Sequence, residues 1–217
     1  MTRPVLFVLA GVNGAGKSSI GGHLLEQAAL SWFNPDDYAR GLIDAIGGNQ
    51  AQANADAWQE GLRRLDLAIA NGDTHAFETT LGGNTIPQRI AVASTSHDVV
   101  VWYCGLASAD LHVARVSARV AAGGHAIDEA KIRERWITSI QSLIRLLPYL
   151  SHLRVYDNSA EARPGEPIPD PVLLAEMRDG HLLLPTDISM LQATPDWAKP
   201  ILEALMSADD QHGEFAC

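Results

Sequence analysis

Residues 11–18 read GVNGAGKS, which matches the pattern G-x-x-x-x-G-K-[ST] at every fixed position. Glycines let the backbone curl so that successive N–H groups point at a phosphate, and the lysine reaches the terminal phosphates. The stretch follows an apolar run, Val5–Ala10, and precedes a helix predicted from Lys17 to about Ala29, whose positive end also favours phosphate. The sequence therefore predicts a P-loop that binds ATP, with GTP less favoured. The predicted nucleotide-binding residues are Gly11, Asn13, Gly14, Ala15, Gly16, Lys17, Ser18 and Ser19, with Mg²⁺ on the Ser18 hydroxyl.

Strands and helices alternate along the chain in the predicted order β-α-β-α-β-α-β-α-α-β. Val5–Ala10 and Asp98–Tyr103 are continuous apolar runs, typical of strands that are buried on both faces of a parallel sheet. We therefore predict an α/β fold of the P-loop NTPase type, with a nucleotide-kinase-like parallel sheet flanked by helices. A break at Gly123-Gly124 predicts a helical lid, and the turn at Asp179-Gly180 predicts a small C-terminal hairpin.

The chain shows no convincing domain boundary before about residue 160. The Pro-rich stretch Arg163–Pro171 has the composition of a connector. We predict a kinase-like domain over residues 1–160 and a C-terminal extension over residues 161–217. The extension is expected to contain the hairpin and a short helix near Asp196–Met206, packed on the same domain.

Composition argues against several classes of protein. Sixteen Lys+Arg against twenty-six Asp+Glu give a formal net charge of −10, whereas a nucleic-acid partner would require a basic stripe. No apolar run approaches the ~20 residues that span a bilayer, and the N-terminus lacks the features of a signal peptide. The two cysteines, Cys104 and Cys217, form no C-x-x-C pattern. We expect a reduced, cytoplasmic protein with a small-molecule substrate and no nucleic-acid or membrane partner.

Polar residues follow two further predicted strands. Asn34-Pro35-Asp36-Asp37 ends a short strand at Leu30–Phe33, and Glu78-Thr79-Thr80 ends a strand that begins at Thr74. Because the carboxyl ends of parallel strands open onto one crevice, these residues should face the bound phosphates. The sequence lacks the N-K-x-D element of a GTPase, and Asp98–Gly105 does not end in the acidic residue that a motor ATPase would need.

Together with Gly123-Gly124-His125 and Ile132-Arg133-Glu134-Arg135-Trp136, these motifs resemble the zeta-toxin/PezT family of P-loop kinases. The resemblance covers about Val5 to Ser159 and is strongest to the short branch labelled "predicted ABC-type ATPase". It implies a metal-dependent phosphotransferase that phosphorylates the sugar of UDP-N-acetylglucosamine at its 3′-hydroxyl. Many members are held by an antitoxin protein, so the resemblance also allows for an antitoxin partner.

The resemblance also assigns roles to individual residues. Asp36 matches the general base, Glu78 and Thr80 match the substrate-holding residues, and Arg119 matches the first of two lid arginines that stabilise the migrating phosphoryl group. Lys17, Asp36 and Arg119 are thus the predicted catalytic residues. The second lid position is occupied by His125, and the candidates for its role are His125, Arg133 and Arg135.

Two other functions fit the same residues. One is a kinase for another small molecule, such as a nucleoside, an antibiotic or a nicotinamide nucleotide. The other is an NTP-dependent switch in which hydrolysis reports a state and no acceptor is used. An aspartate after the second predicted strand favours a kinase over a switch.

Overall fold

A computed structural model describes residues 2–18, 20–21, 32–161 and 169–214 of the chain. Within these ranges a six-stranded mixed sheet has the order β2-β1-β3-β4-β5-β6. The first four strands in this order pair in parallel, and the last two pairings are antiparallel. The strands are β1 (Val5–Ala10), β2 (His75–Thr79), β3 (Asp98–Gly105), β4 (His152–Asp157), β5 (Val172–Arg178) and β6 (His181–Leu184).

Helices follow most strands and begin at side chains that cap them. Ser108 and Asp128 accept hydrogen bonds from backbone N–H groups in the first turns of α4 and α5, and Gly72 ends α2 in the left-handed conformation. The helices are α1 (Pro35–Ile46), α2 (Gln50–Asn71), α3 (Thr85–Ala93), α4 (Ala109–Ala121), α5 (Glu129–Leu146), α6 (Ile188–Ala193) and α7 (Lys199–Glu214).

The main core lies on one face of the sheet. Leu6 and Val8 of β1 and Val101 of β3 point to this face, where they pack against Leu143 of α5 and Ile201 of α7. All five side chains are at most 1% exposed. On the opposite face, Leu9 and Cys104 pack with Ile20 of the helix that follows the P-loop. A strand with both faces covered needs no polar alternation, which explains the apolar runs in the sequence.

The C-terminal part continues the same sheet. β5 pairs antiparallel with β4, and β6 folds back on β5 through the tight turn at Asp179-Gly180. The α7 residues Ile201 and Leu205 enter the main core, and the Trp197 ring covers Gly105, where any side chain would collide with it. The structure thus contains the predicted parallel sheet with its flanking helices, lid and hairpin.

Several local predictions differ from the structure. The short strand predicted at Leu30–Phe33 is wrong over its described part, since Phe33 forms an isolated parallel bridge to Phe77 and α1 begins two residues later. The predicted C-terminal helix begins later and runs further than expected, as α7, and α6 was not predicted. The helix predicted from Lys17 to Ala29 lies largely outside the described residues, as do Ser19 and Cys217.

In the part of the chain that the structure describes, no helix combines the length and the apolar character required to cross a bilayer.

Candidate active site

The P-loop leaves the carboxyl end of β1 in a conformation that needs its glycines. Gly11 has φ +138°, and a Cβ there would collide with the Cys104 carbonyl oxygen of β3. At Gly16, with φ +83°, a Cβ would collide with the Asn158 side chain, whose Nδ2 donates to the Ala15 carbonyl oxygen at 2.9 Å. The loop is therefore fixed from outside by the residues that follow β3 and β4.

A buried histidine also supports the loop. His112 of α4 is 1% exposed, and its Nδ1 lies 2.8 Å from the Asn13 carbonyl oxygen, which requires the proton on Nδ1. Its Nε2 has no hydrogen-bond partner among the described residues. Burial lowers the pKa of His112 to about 4, so the ring is neutral at physiological pH. Burial likewise raises the pKa of the nearby Cys104 thiol to about 12, which leaves that thiol protonated and unreactive.

Four polar side chains meet at the start of the P-loop helix. Lys17 Nζ lies 3.2 Å from Glu78 Oε1 in a pair whose side chains are 6% and 11% exposed. Ser18 Oγ donates to Glu78 Oε2 at 3.0 Å. Asn34 Nδ2 reaches both acceptors, at 3.2 Å from Glu78 Oε2 and 3.4 Å from Ser18 Oγ. The predicted residues Lys17, Ser18 and Glu78 are thus brought together, with Asn34 as an additional member.

Asp36 lies in the first turn of α1 and faces two cationic or ionisable groups of the lid. Its Oδ2 is 3.7 Å from an Arg119 guanidinium nitrogen, and its Oδ1 is 3.9 Å from His125 Nε2. Asn34 caps this helix by accepting from the backbone N–H of Asp36 at 2.9 Å. At 35% exposure the Asp36 carboxylate remains open to solvent and to a ligand.

The two remaining lid arginines lie in different places. Arg135 crosses from α5 to the P-loop and donates to Asn13 Oδ1 at 2.9 Å. Its stem lies over Gly82, where a Cβ would approach the Arg135 Cγ to 2.5 Å. Arg133 instead donates to Asp110 at 2.6 Å and to Glu129 at 2.8 Å, on the outer side of α4 and α5. The structure brings Arg135, and not Arg133, to the loop.

These residues surround one cavity of about 610 Å³. Asn13 and Lys17 line it from the P-loop, and Asp36, Glu78, Thr80 and His125 line it from the strand ends and the lid. The predicted residues Gly11, Gly14, Ala15 and Gly16 form the loop beside it, whereas Arg119 reaches the cavity through Asp36. Beyond Thr80, Leu81 takes a positive φ of 53° in the turn that leads to Gly82.

The sequence analysis did not single out Asn34, Asn158, His112 or Trp58 as functional residues. Asn34 carried the clearest signal, because an asparagine directly before a proline and two acidic residues is a strong helix cap at a strand end. His112 and Asn158 are distant from the P-loop in the sequence, and contacts of this kind leave no local pattern. Trp58 matched the helical period of a core residue, yet it is 47% exposed and lines the cavity.

Sequence comparison relates the chain to a bacterial protein. An uncharacterised protein of Haemophilus influenzae is 31% identical over 144 residues, which is 63% of this chain and the full length of that protein. The chain belongs to the family of this protein. No family model matches the chain.

Two solved structures show the same fold at low sequence identity. The AvrRxo1-ORF1:ORF2 complex with ATP aligns with a TM-score of 0.63 at 16% identity, over 94% of this chain and 64% of that chain. The PezAT chromosomal toxin–antitoxin system of Streptococcus pneumoniae aligns with a TM-score of 0.59 at 14% identity, over 99% of this chain and 87% of that chain. This chain therefore has the α/β nucleotide-kinase fold, as predicted.

Proposed function

We propose that the chain is a P-loop kinase that transfers the γ-phosphoryl group of ATP to a hydroxyl group of a small molecule bound in the cavity. The observation that carries the proposal is the position of Asp36, a solvent-accessible carboxylate that lines the same cavity as Lys17. A hydroxyl acceptor needs a group that takes its proton, and a carboxylate across the cavity from the phosphate loop is suited to that role.

Each residue has a task that follows from its position. Lys17 neutralises charge on the terminal phosphates, for which it exchanges its partner Glu78. Arg135, held at Asn13, and Arg119, beside Asp36, supply positive charge where the phosphoryl group moves. Asp36 orients the acceptor hydroxyl and accepts its proton. Glu78 and Thr80 lie between these groups and contact the acceptor.

The residues present also fit a magnesium ion. Ser18 Oγ and Glu78 Oε2 are hard oxygen donors 3.0 Å apart, and Mg²⁺ in kinases takes one or two such protein ligands together with phosphate oxygens. When bound, the ion would neutralise charge on the β- and γ-phosphates. Asn34 donates to both oxygens and so keeps them oriented towards each other.

The finer proposal is that the acceptor is a sugar nucleotide such as UDP-N-acetylglucosamine and that an antitoxin protein binds the chain. The resemblance of residues 5–159 to zeta toxins supports it, as does the likeness of fold to the PezAT toxin–antitoxin system. The cavity is large enough for an acceptor beside the phosphates.

The test is a transfer assay with γ-labelled ATP, Mg²⁺ and a panel of UDP-sugars, nucleosides and simple sugars. We expect label in an acceptor, with a UDP-sugar as the preferred one. Label in another compound would reject the sugar-nucleotide proposal alone, whereas release of free phosphate without labelled acceptor would indicate a switch.

Lys17→Arg is the matched control for this assay. It keeps a cation beside Glu78, but the planar guanidinium cannot take the compact position of the ammonium at the phosphates. Transfer should fall at least a hundredfold. Transfer by this variant at the wild-type rate would show that the P-loop does not carry the reaction.

A further inference from the structure

The cavity has two walls of opposite chemical character. One wall holds all its charged or ionisable lining residues, which come from the P-loop, the N-terminus of α1, the end of β2 and the lid: Lys17, Asp36, Glu78, His125, Asp128, Lys131, Glu134 and Arg135. The other wall is α2, which lines the cavity with Asn54, Ala57, Trp58, Gly61 and Leu62.

The α2 wall follows directly from the helical period. Positions 54, 57, 58, 61 and 62 lie on one face of a helix, and none of them is charged. The same helix is rich in charge elsewhere: Asp56, Glu60, Arg63, Arg64 and Asp66 are absent from the cavity lining. Charged residues are thus confined to the faces of α2 that point away from the cavity.

Trp58 is the dominant side chain of this wall. Its indole is 47% exposed although it lines a cavity, and it forms no hydrogen bond with any described residue. Next to it, Gly61 leaves room for Phe33, whose ring would approach a Cβ at Gly61 to 2.9 Å. A large aromatic surface is therefore left open inside the cavity that holds Lys17 and Asp36.

We infer that Trp58 is the platform for an uncharged planar ring of the acceptor, either a nucleobase or an aromatic aglycone. The inference rests on the proposed function and names the part of the acceptor that determines specificity. Phosphates belong at the charged wall, so the α2 wall is left for a neutral group, and the indole suits a planar ring that can stack on it. Asn54, at the edge of the wall, offers an amide that can hydrogen-bond to ring substituents.

The test measures binding of ring-bearing probes while Mg-ADP saturates the donor site. The probes are uridine, inosine and phenyl glucoside, with ribose and glucose as their ring-free counterparts, and calorimetry gives each dissociation constant. We expect at least one ring-bearing probe to bind at least tenfold more tightly than its ring-free counterpart. Uridine and inosine test the nucleobase, and phenyl glucoside tests the aromatic aglycone.

Substitution then locates the bound ring. Trp58→Ala should weaken the bound probe by about 5- to 150-fold, the effect of removing a stacking partner, while Trp58→Phe should keep binding within about threefold. Tyr149→Ala is the matched control, because Tyr149 is 45% exposed and lies outside the cavity lining. It should leave binding of the probe unchanged.

The inference fails if no ring-bearing probe binds at 10 mM, if ribose and glucose bind as tightly, or if Trp58→Ala binds like the wild type. The transfer assay separates this failure from that of the proposed function. Label transferred with unchanged rates in Trp58→Ala rejects the platform alone. Ring binding lost in Trp58→Ala, together with no transfer to any acceptor, rejects the kinase alone.

Discussion

Asp36 illustrates how much of a residue's role depends on neighbours that are far away in the sequence. Its carboxylate lies 3.7 Å from Arg119 and 3.9 Å from His125, both contributed by the lid. The backbone N–H of Asp36 is held by Asn34, which also donates to the Glu78 carboxylate. The proposed base is thus connected to both the lid and the residues around Lys17.

Asp36→Asn should separate the role of base from the role of helix cap. The amide keeps the size of the carboxylate but cannot accept the proton, so the transfer rate should fall by roughly 10²–10⁴. Nucleotide affinity should stay within a few-fold, because the P-loop is untouched. The measurements are kcat, the Kd for Mg-ADP and the melting temperature. A kcat within threefold of the wild type would show that Asp36 is not the base.

Arg135→Gln tests which of the lid arginines acts on the phosphoryl group. Arg135 reaches the P-loop at Asn13, and losing a group that stabilises charge in the transition state costs about 10²–10³ in rate. Arg133→Gln is the matched control, since Arg133 forms exposed ion pairs with Asp110 and Glu129 that contribute little to stability. Its kcat should remain close to that of the wild type. Equal losses in both variants would contradict this assignment.

At the scale of the residue, the sequence predicted the groups that belong to a local pattern. Lys17 and Ser18 follow from the motif, and Asp36 and Glu78 follow from their position after strand ends that share one edge of the sheet. The structure brings all four to one cavity or to its phosphate loop. His112 and Asn158 could not be predicted, because they reach the loop from α4 and from the end of β4 through tertiary packing.

Among the elements, α1 links its own stability to the geometry of the site. Its capping residue Asn34 is 8% exposed and uses both ends of one amide. The oxygen accepts from the Asp36 N–H, and the nitrogen donates towards Glu78 and Ser18. A change at this residue therefore affects the helix and the site differently, depending on which end is altered.

Asn34→Asp alters one end of the amide alone. Aspartate caps a helix as well as asparagine, but it places a second carboxylate oxygen next to Glu78, where the amide now donates at 3.2 Å. We expect a loss of about 1–3 kcal/mol of unfolding free energy at pH 7, together with weaker activation by Mg²⁺. Because protonation of either carboxylate relieves the repulsion, the loss should shrink as the pH falls towards 5. Urea unfolding at both pH values measures this.

Asp37→Asn serves as the control for this prediction. Asp37 also lies in the first turn of α1, but its carboxylate is exposed and paired with Arg40 at 3.2 Å. Its unfolding free energy should change by less than about 1 kcal/mol. An Asn34→Asp variant as stable as the wild type at pH 7 would contradict the link between Asn34 and Glu78.

The elements themselves were predicted with uneven success, for physical reasons. Helices α4 and α5 were predicted correctly at their starts because Ser108 and Asp128 are capping residues in the sequence. The strand at Leu30–Phe33 was predicted from apolar residues, but Phe33 forms one bridge and then meets Asn34-Pro35, which begin a helix. The arrangement of β5 next to β4 depends on pairing between distant segments, which no local pattern contains.

The whole molecule is organised around its sheet, and the site lies where several parallel strands end. β1 leads into the P-loop, β2 leads into Glu78 and Thr80, and β3 and β4 lead into Leu106 and Asn158, which adjoin the loop from the other side. The parallel core could be predicted from the apolar runs and the motif. A single substitution under the loop can therefore change both the stability of the molecule and the site.

His112 makes the stability of the whole molecule depend on pH. Burial lowers the pKa of His112 to about 4, whereas an unperturbed histidine has a pKa near 6.5, so the unfolded chain binds a proton that the folded chain does not. The stabilisation from the neutral ring is complete above about pH 6.5 and is lost as the pH falls towards 4. Two and a half pKa units correspond to roughly 3 kcal/mol of unfolding free energy.

His112→Asn should remove this pH dependence. The asparagine amide nitrogen can still donate to the Asn13 carbonyl oxygen, but it does not titrate. The lost ring volume lowers stability by an amount that does not vary with pH, so the variant is less stable at pH 7 and approaches the wild type as the pH falls towards 4. Urea unfolding between pH 7 and 4 measures the difference, with His181→Asn as the control at an exposed histidine. Because other groups titrate equally in both proteins, the difference isolates His112, and parallel curves would show that the loop rests on a ring that is not buried in its neutral form.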